Sequence, residues 1–136
     1  MGRHLLRRRL DRGAAAVEFA LVMPVLVMIM FAIMEFGYAF FVQSSVAAAA
    51  RVGERNYAIN WGTVGYSSST ATDLATSNTP DPTKVVSSTI TTTCSGPGDQ
   101  STLTITYQYH SLTGLLDGIL GSNITLTGKA SMACGG

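Results

Sequence analysis

Strongly apolar residues crowd into one stretch of this chain, between Val17 and Val42, and thin out on either side of it. The run Phe19–Met34, FALVMPVLVMIMFAIM, carries no charge. With its flanks from Ala14 to Val42 it exceeds the roughly 20 helical residues needed to cross about 30 Å of hydrocarbon. The pattern therefore predicts a transmembrane helix over residues 14–42. Beyond it the pattern becomes periodic. Val42, Val46, Ala49, Ala50, Gly53 and Tyr57 recur every three or four positions, while Gln43, Ser44, Arg51, Glu54 and Arg55 fall elsewhere. This predicts an amphipathic continuation of the helix over 43–61, fading near Asn60–Gly62, with its apolar stripe seated on a β-domain or on a neighbouring subunit.

Residues 62–84 contain SSSTAT and SNTPDPT, with Pro80 and Pro82. They read as a loop or flexible connector, with room for a short helical turn near Asp73–Ser77. From residue 85 to 136 the chain is Thr-rich and partly alternating. Strands are expected at Val85–Cys94, Thr102–Tyr109 and, more weakly, Ile124–Met132. Gly96-Pro97-Gly98-Asp99 supplies a hairpin turn between the first two, and Leu115, Leu116, Ile119 and Leu120 suit a short amphipathic helix. The expected fold is α+β: a long N-terminal transmembrane helix with a small antiparallel β-sheet domain packed on its outer half.

Charge gives this architecture a direction. Residues 1–13 hold Arg3, Arg7, Arg8, Arg9 and Arg12 against Asp11, a net +4, and the remainder nets −3. A basic cluster abutting an apolar span, with no interleaved aromatics, fits membrane orientation rather than nucleic-acid binding. The positive-inside rule keeps this leader in the cytoplasm and places the C-terminal part outside. Cys94 and Cys134 then lie in the exported part, where two thiols are expected to pair. Their disulfide would close a loop around most of the strand region.

Two acids and a proline interrupt the apolar stretch. A carboxylate at bilayer depth costs on the order of 2.5–3.5 kcal/mol. Glu18 and Glu35 are separated by about 25 Å of helix, so they fall near opposite faces of the bilayer. Glu35 is expected to reach the outer headgroups; Glu18 has apolar residues on both sides and is harder to place. Pro24 removes a helix donor and predicts a kink or loosened turn. No catalytic or metal-ligating constellation is evident. His4 and His110 stand apart from other ligands, and the many hydroxyls lack a positioned base, so neither an enzyme nor a cofactor is expected.

The N-terminus has three readings. It is a signal peptide cut near Ala47–Ala50, an uncleaved anchor, or a leader cut between Gly13 and Ala14. The last would place a new ammonium at Ala14, four residues from Glu18 on the same helix, and so offset the carboxylate. Gly13 followed five residues later by Glu18-Phe19 is similar to the prepilin-peptidase site of type IV pilins. Together with Pro24, Glu35-Phe36-Gly37 and the Ala-Arg-x-Gly-x-Arg run Ala50–Arg55, the stretch from about Arg8 to Tyr57 resembles the TadE-like family of the Tad, or Flp, tight-adherence pilus system.

The resemblance implies a minor pilin or pseudopilin processed at Gly13–Ala14. Glu18 would register subunits by charge pairing, and Phe19, Pro24, Glu35 and Gly37 would serve helix packing. Its implied partners are the prepilin peptidase, pilus platform proteins, other pilins and the lipid bilayer. Arg51 and Arg55, one helical turn apart, form either a solvated face or a subunit contact. The alternative class is an uncleaved, membrane-anchored protein whose β-domain binds a surface ligand.

Overall fold

The computed structural model describes residues 3–114, 117–118, 121 and 124–135, with side chains from Gly13 onward. The chain divides into two compact units, one ending at Phe36 and the other beginning at Gly37. One α-helix, α1, runs over Arg3–Asn60 and contributes to both. It is continuous through Pro24, a tolerance familiar in apolar helices whose freed backbone groups are satisfied locally. Its end is tied back by its own residues, with Asn60 Nδ2 donating to the Asn56 carbonyl at 2.8 Å.

In the second unit three antiparallel strands lie in the order β1-β2-β3, with β1 Val85–Thr92, β2 Gln100–Tyr109 and β3 Ile124–Ala133. The α+β expectation holds. The strand read as the weak third is as long as the central one and pairs with it along its whole length, from Gln100↔Ala133 to Tyr109↔Ile124. β1 is shorter than expected at its C-terminal end, and its register slips between Val85 and Ser87 and again between Ile90 and Thr92. Such irregularities blunt an edge strand against stray pairing. The hairpin turn forms where the glycines and proline predict it, closed by a hydrogen bond from Asp99 N–H to the Gly96 carbonyl at 3.2 Å.

Side chains alternate across the central strand. Ser101, Leu103, Ile105, Tyr107 and Tyr109 of β2 are buried on the inner face, as strand geometry requires for one covered side. Val42, Val46, Ala49 and Ala50 of α1 join Leu103, Ile105, Tyr107, Tyr109 and Ala130 in one core. The inward stripe read from the sequence is therefore the buried one. The outer face is polar: Thr102 and Ser131, directly opposite each other, exchange a hydroxyl hydrogen bond at 2.7 Å.

One expectation needs correction. The stretch 62–84 is not simply a connector, because Ser68–Ser77 forms a helix of 10 residues, α2, followed by a 3-10 turn at Pro82–Lys84. Ser67 caps α2 by accepting from Ser69 N–H, and Ala71 and Ala75 are buried. Its composition is poor in helix formers, so burial of the two alanines rather than propensity holds it. Of the short helix expected from Leu115, Leu116, Ile119 and Leu120, those four residues lie outside the described ones, and Asp117–Gly118 between them is helical.

Cys94 and Cys134 form the expected disulfide, with Cα atoms 5.9 Å apart. Two backbone bonds flank it, Gly98 N–H to the Cys134 carbonyl at 2.9 Å and Cys134 N–H to the Asp99 carbonyl at 2.7 Å. The link closes a loop of sequence separation 40, for which loop entropy suggests about 4 kcal/mol. Reduction, or the double substitution Cys94→Ser/Cys134→Ser, is expected to lower the thermal midpoint of the second unit by roughly 10–20 °C. Circular dichroism melts of the detergent-solubilised chain with and without reductant measure this.

Candidate functional site

The residues singled out by sequence lie along α1 and are described in the two units separately. Between Gly13 and Phe36 almost every side chain is exposed: Gly13, Ala14, Glu18 and Pro24 among them, and Phe19 at 65%. The exceptions are Val27, which is half-buried, and Glu35, which is buried. A carboxylate at the border of an apolar span has the most to gain from leaving lipid contact. The most apolar window of the helix has a mean hydropathy of 2.5, and none of it is covered by the rest of the protein. An apolar helical surface of this extent requires lipid or other helices around it.

From Gly37 onward α1 has a covered side and a free side. The covered side carries two very close approaches. A Cβ added to Gly53 would stand 2.5 Å from Ala75 Cβ, 2.7 Å from the Ala71 carbonyl oxygen and 3.1 Å from Leu103 Cδ1. Gly53 thus lets α1 touch the backbone of α2 and the side chains of β2. On the next layer, a Cβ added to Gly128 of β3 would fall 2.5 Å from the Val46 carbonyl oxygen. Both glycines exist because backbone meets backbone there. Gln43 Nε2 adds a hydrogen bond to the Thr127 carbonyl at 3.0 Å.

Beside Gly53 sits a residue that sequence reasoning misplaced. Glu54, assigned to the polar side of the helix, is fully buried, at 0% exposure. Its Oε1 accepts a hydrogen bond from the Ser101 hydroxyl of β2, and its Oε2 has no partner. Burial pushes this carboxyl above the usual range, and the Ser101 bond opposes part of that rise. The available signal was spacing. Glu54 is four residues after Ala50 and four before Ala58, and both of these are buried.

Arg51 and Arg55 behave as one expected face. Both are exposed, and neither forms an ion pair among the described residues, where Lys84–Asp81 is the pair formed. Gly37 is also exposed, with nothing within 4 Å of an added Cβ. Among the described residues no group of three or more His, Cys, Asp or Glu is placed to hold a metal ion.

The fold is that of an α+β protein with, among the described residues, one helix long and apolar enough to cross a membrane and a small three-stranded sheet. The model of the TadE-like protein family matches residues 13–55, the stretch carrying Gly13, Glu18, Glu35 and the Ala50–Arg55 run. The match spans 43 of the chain's 136 residues, and over that stretch the chain is similar to the TadE-like family. No curated protein and no solved structure gives a match. The matched stretch ends at Arg55 and so takes in Gly53, where α1 comes into backbone contact with α2. Substituting Gly53→Val is expected to destabilise the second unit by about 2–3 kcal/mol through overpacking. Gly37→Ala, with open space around it, should leave stability unchanged or raise it by up to about 1 kcal/mol. Denaturant titration of both variants against the parent separates the two.

Proposed function

We propose that this chain is a minor pilin or pseudopilin that takes part in assembling a Tad/Flp adhesive pilus. One observation carries the reading: the family match begins at Gly13, at the head of an apolar helical stretch whose side chains are exposed almost throughout as far as Met34. On this reading the basic leader of residues 1–13 orients insertion with the N-terminus in the cytoplasm, and a prepilin peptidase then cuts between Gly13 and Ala14. The freed ammonium of Ala14 and the exposed Glu18 carboxylate lie one helical turn apart, near the positive end of the helix dipole. In the membrane the pair lowers the cost of the carboxylate; between subunits it sets their register. Phe19, Pro24 and their neighbours pack helix against helix.

The free side of α1 in the second unit supports the same reading. Gly37, Phe41, Ser44, Ala48, Arg51 and Arg55 are all exposed and are spaced alternately four and three residues apart, the spacing of a helix-packing seam. Small residues at three of these positions allow a neighbouring backbone to come close. The two arginines offer charge to a partner subunit or platform protein.

The mature N-terminus tests the proposal. Intact mass and N-terminal sequencing, from cells with and without the peptidase, should show a chain beginning at Ala14 only where the enzyme is present. A mature chain still beginning at Met1 sinks this version in favour of an anchored ligand-binding protein, and one beginning near Arg51 points to a secreted domain. The double substitution Arg51→Glu/Arg55→Glu should change the stability of the isolated chain by no more than about 0.5 kcal/mol, as expected for unpaired surface charges. Piliation, counted by electron microscopy, should fall sharply.

A further inference from the structure

Glu54 is a buried acid with no cation paired to it among the described residues. Its side chain is closed off from solvent, one oxygen is held by Ser101 and the other has nothing to bond. The surrounding elements supply little that could hold a charge. From α1 comes Tyr57, three residues on. From the segment after α1 comes Tyr66, whose ring centroid lies 6.4 Å from that of Tyr57 and whose hydroxyl donates to Asn56 Oδ1. Both are phenols and supply no cation. Arg51 and Arg55 on the same helix, Asp73 of α2 and Lys129 of β3 are all exposed, and burial and Ser101 alone account for the carboxyl's displacement. β2 contributes only the Ser101 hydroxyl, which also points to the Met132 carbonyl of β3 at 3.4 Å.

This arrangement treats the two protonation states unequally. An ionised carboxylate with an orphaned oxygen in a dry site bears a full desolvation cost that a single hydroxyl does not repay. The neutral acid bears far less. The site lies directly beside Gly53, where α1 comes into backbone contact with α2 and against Leu103 of β2, and the Glu54 side chain has no exposed surface.

We propose that Glu54 and Ser101 form a proton-operated latch between the end of α1 and the central strand, closed when the carboxyl is protonated and loosened when it ionises. The proposal is independent of whether the chain enters a filament. It concerns how tightly the second unit holds the part of α1 that ends the TadE-like match. The sign follows from linkage. The folded-state value lies above the unfolded one, so the stabilisation is fully present below the unfolded value and is lost as pH rises through the folded value. In that window the folding equilibrium constant falls by up to about tenfold per pH unit.

The test is a set of thermal melts of the full chain in detergent from about pH 4 to about pH 8, a range that brackets the carboxylate values. The parent midpoint should fall with rising pH above the usual glutamate range. Glu54→Gln should abolish that dependence while keeping a high midpoint at neutral pH. Ser101→Ala removes the bond that favours the ionised form, so it should move the transition to higher pH rather than lower the midpoint equally at every pH. Should Glu54→Gln not fold, infrared spectra of the parent still decide the matter. A protonated-carboxyl stretch that persists above the usual glutamate range, and is displaced upward in Ser101→Ala, supports the latch. A pH profile shared by parent and Glu54→Gln, or a parent with no such stretch, overturns it.

Discussion

The second unit depends on how closely a helix backbone can approach its neighbours. At Gly53 and Gly128 the missing Cβ atoms let α1 reach α2 and β3 at distances that any side chain would prevent. Those two contacts set the depth at which Val46, Ala49 and Ala50 enter the core. They also determine what lies beside them. With α1 this close to β2, the side chain after Gly53 has no route to water, and a glutamate there becomes an interior acid. Close packing and a buried titratable group are two consequences of one geometric choice.

α1 meets two different environments along its length. From Gly13 to Phe36 it is predominantly apolar and its side chains are exposed almost throughout, a surface suited to lipid or to other helices. From Gly37 on it has a core side of aliphatic and small residues and a free side with Phe41, Ser44, Ala48 and the two arginines. An all-round apolar helix and an amphipathic one differ in what they can bury and against what. The change of character at Gly37 therefore separates a segment without an intrachain cover from one that organises a domain.

The far end of the domain is held differently. There the core thins, and covalent and backbone links take over: the Cys94–Cys134 bridge, the two bonds joining Cys134 to the hairpin turn, and Gly135 N–H donating to the Ala58 carbonyl. A three-stranded sheet with one polar face has little apolar area to bury. A crosslink between the β1–β2 turn and the end of β3 compensates by limiting the unfolded chain.

Much of this was legible in the sequence, for local reasons. The density of apolar residues marks the span, the three-and-four spacing of Val42 through Tyr57 marks the buried stripe, and Gly96–Asp99 marks the hairpin. Two cysteines on one side of a span mark a crosslink, and the Gly13–Arg55 motifs carry the similarity to the TadE-like family. What only the tertiary structure decided involves surfaces brought together from afar. α2 has the composition of a loop and is a helix because Ala71 and Ala75 fit against Gly53. Glu54 follows the habit of charged residues until Ser101, 47 positions away, accounts for one of its oxygens. Propensity and periodicity act within a few residues of each other; the fit of one backbone against another does not, and no single segment carries it.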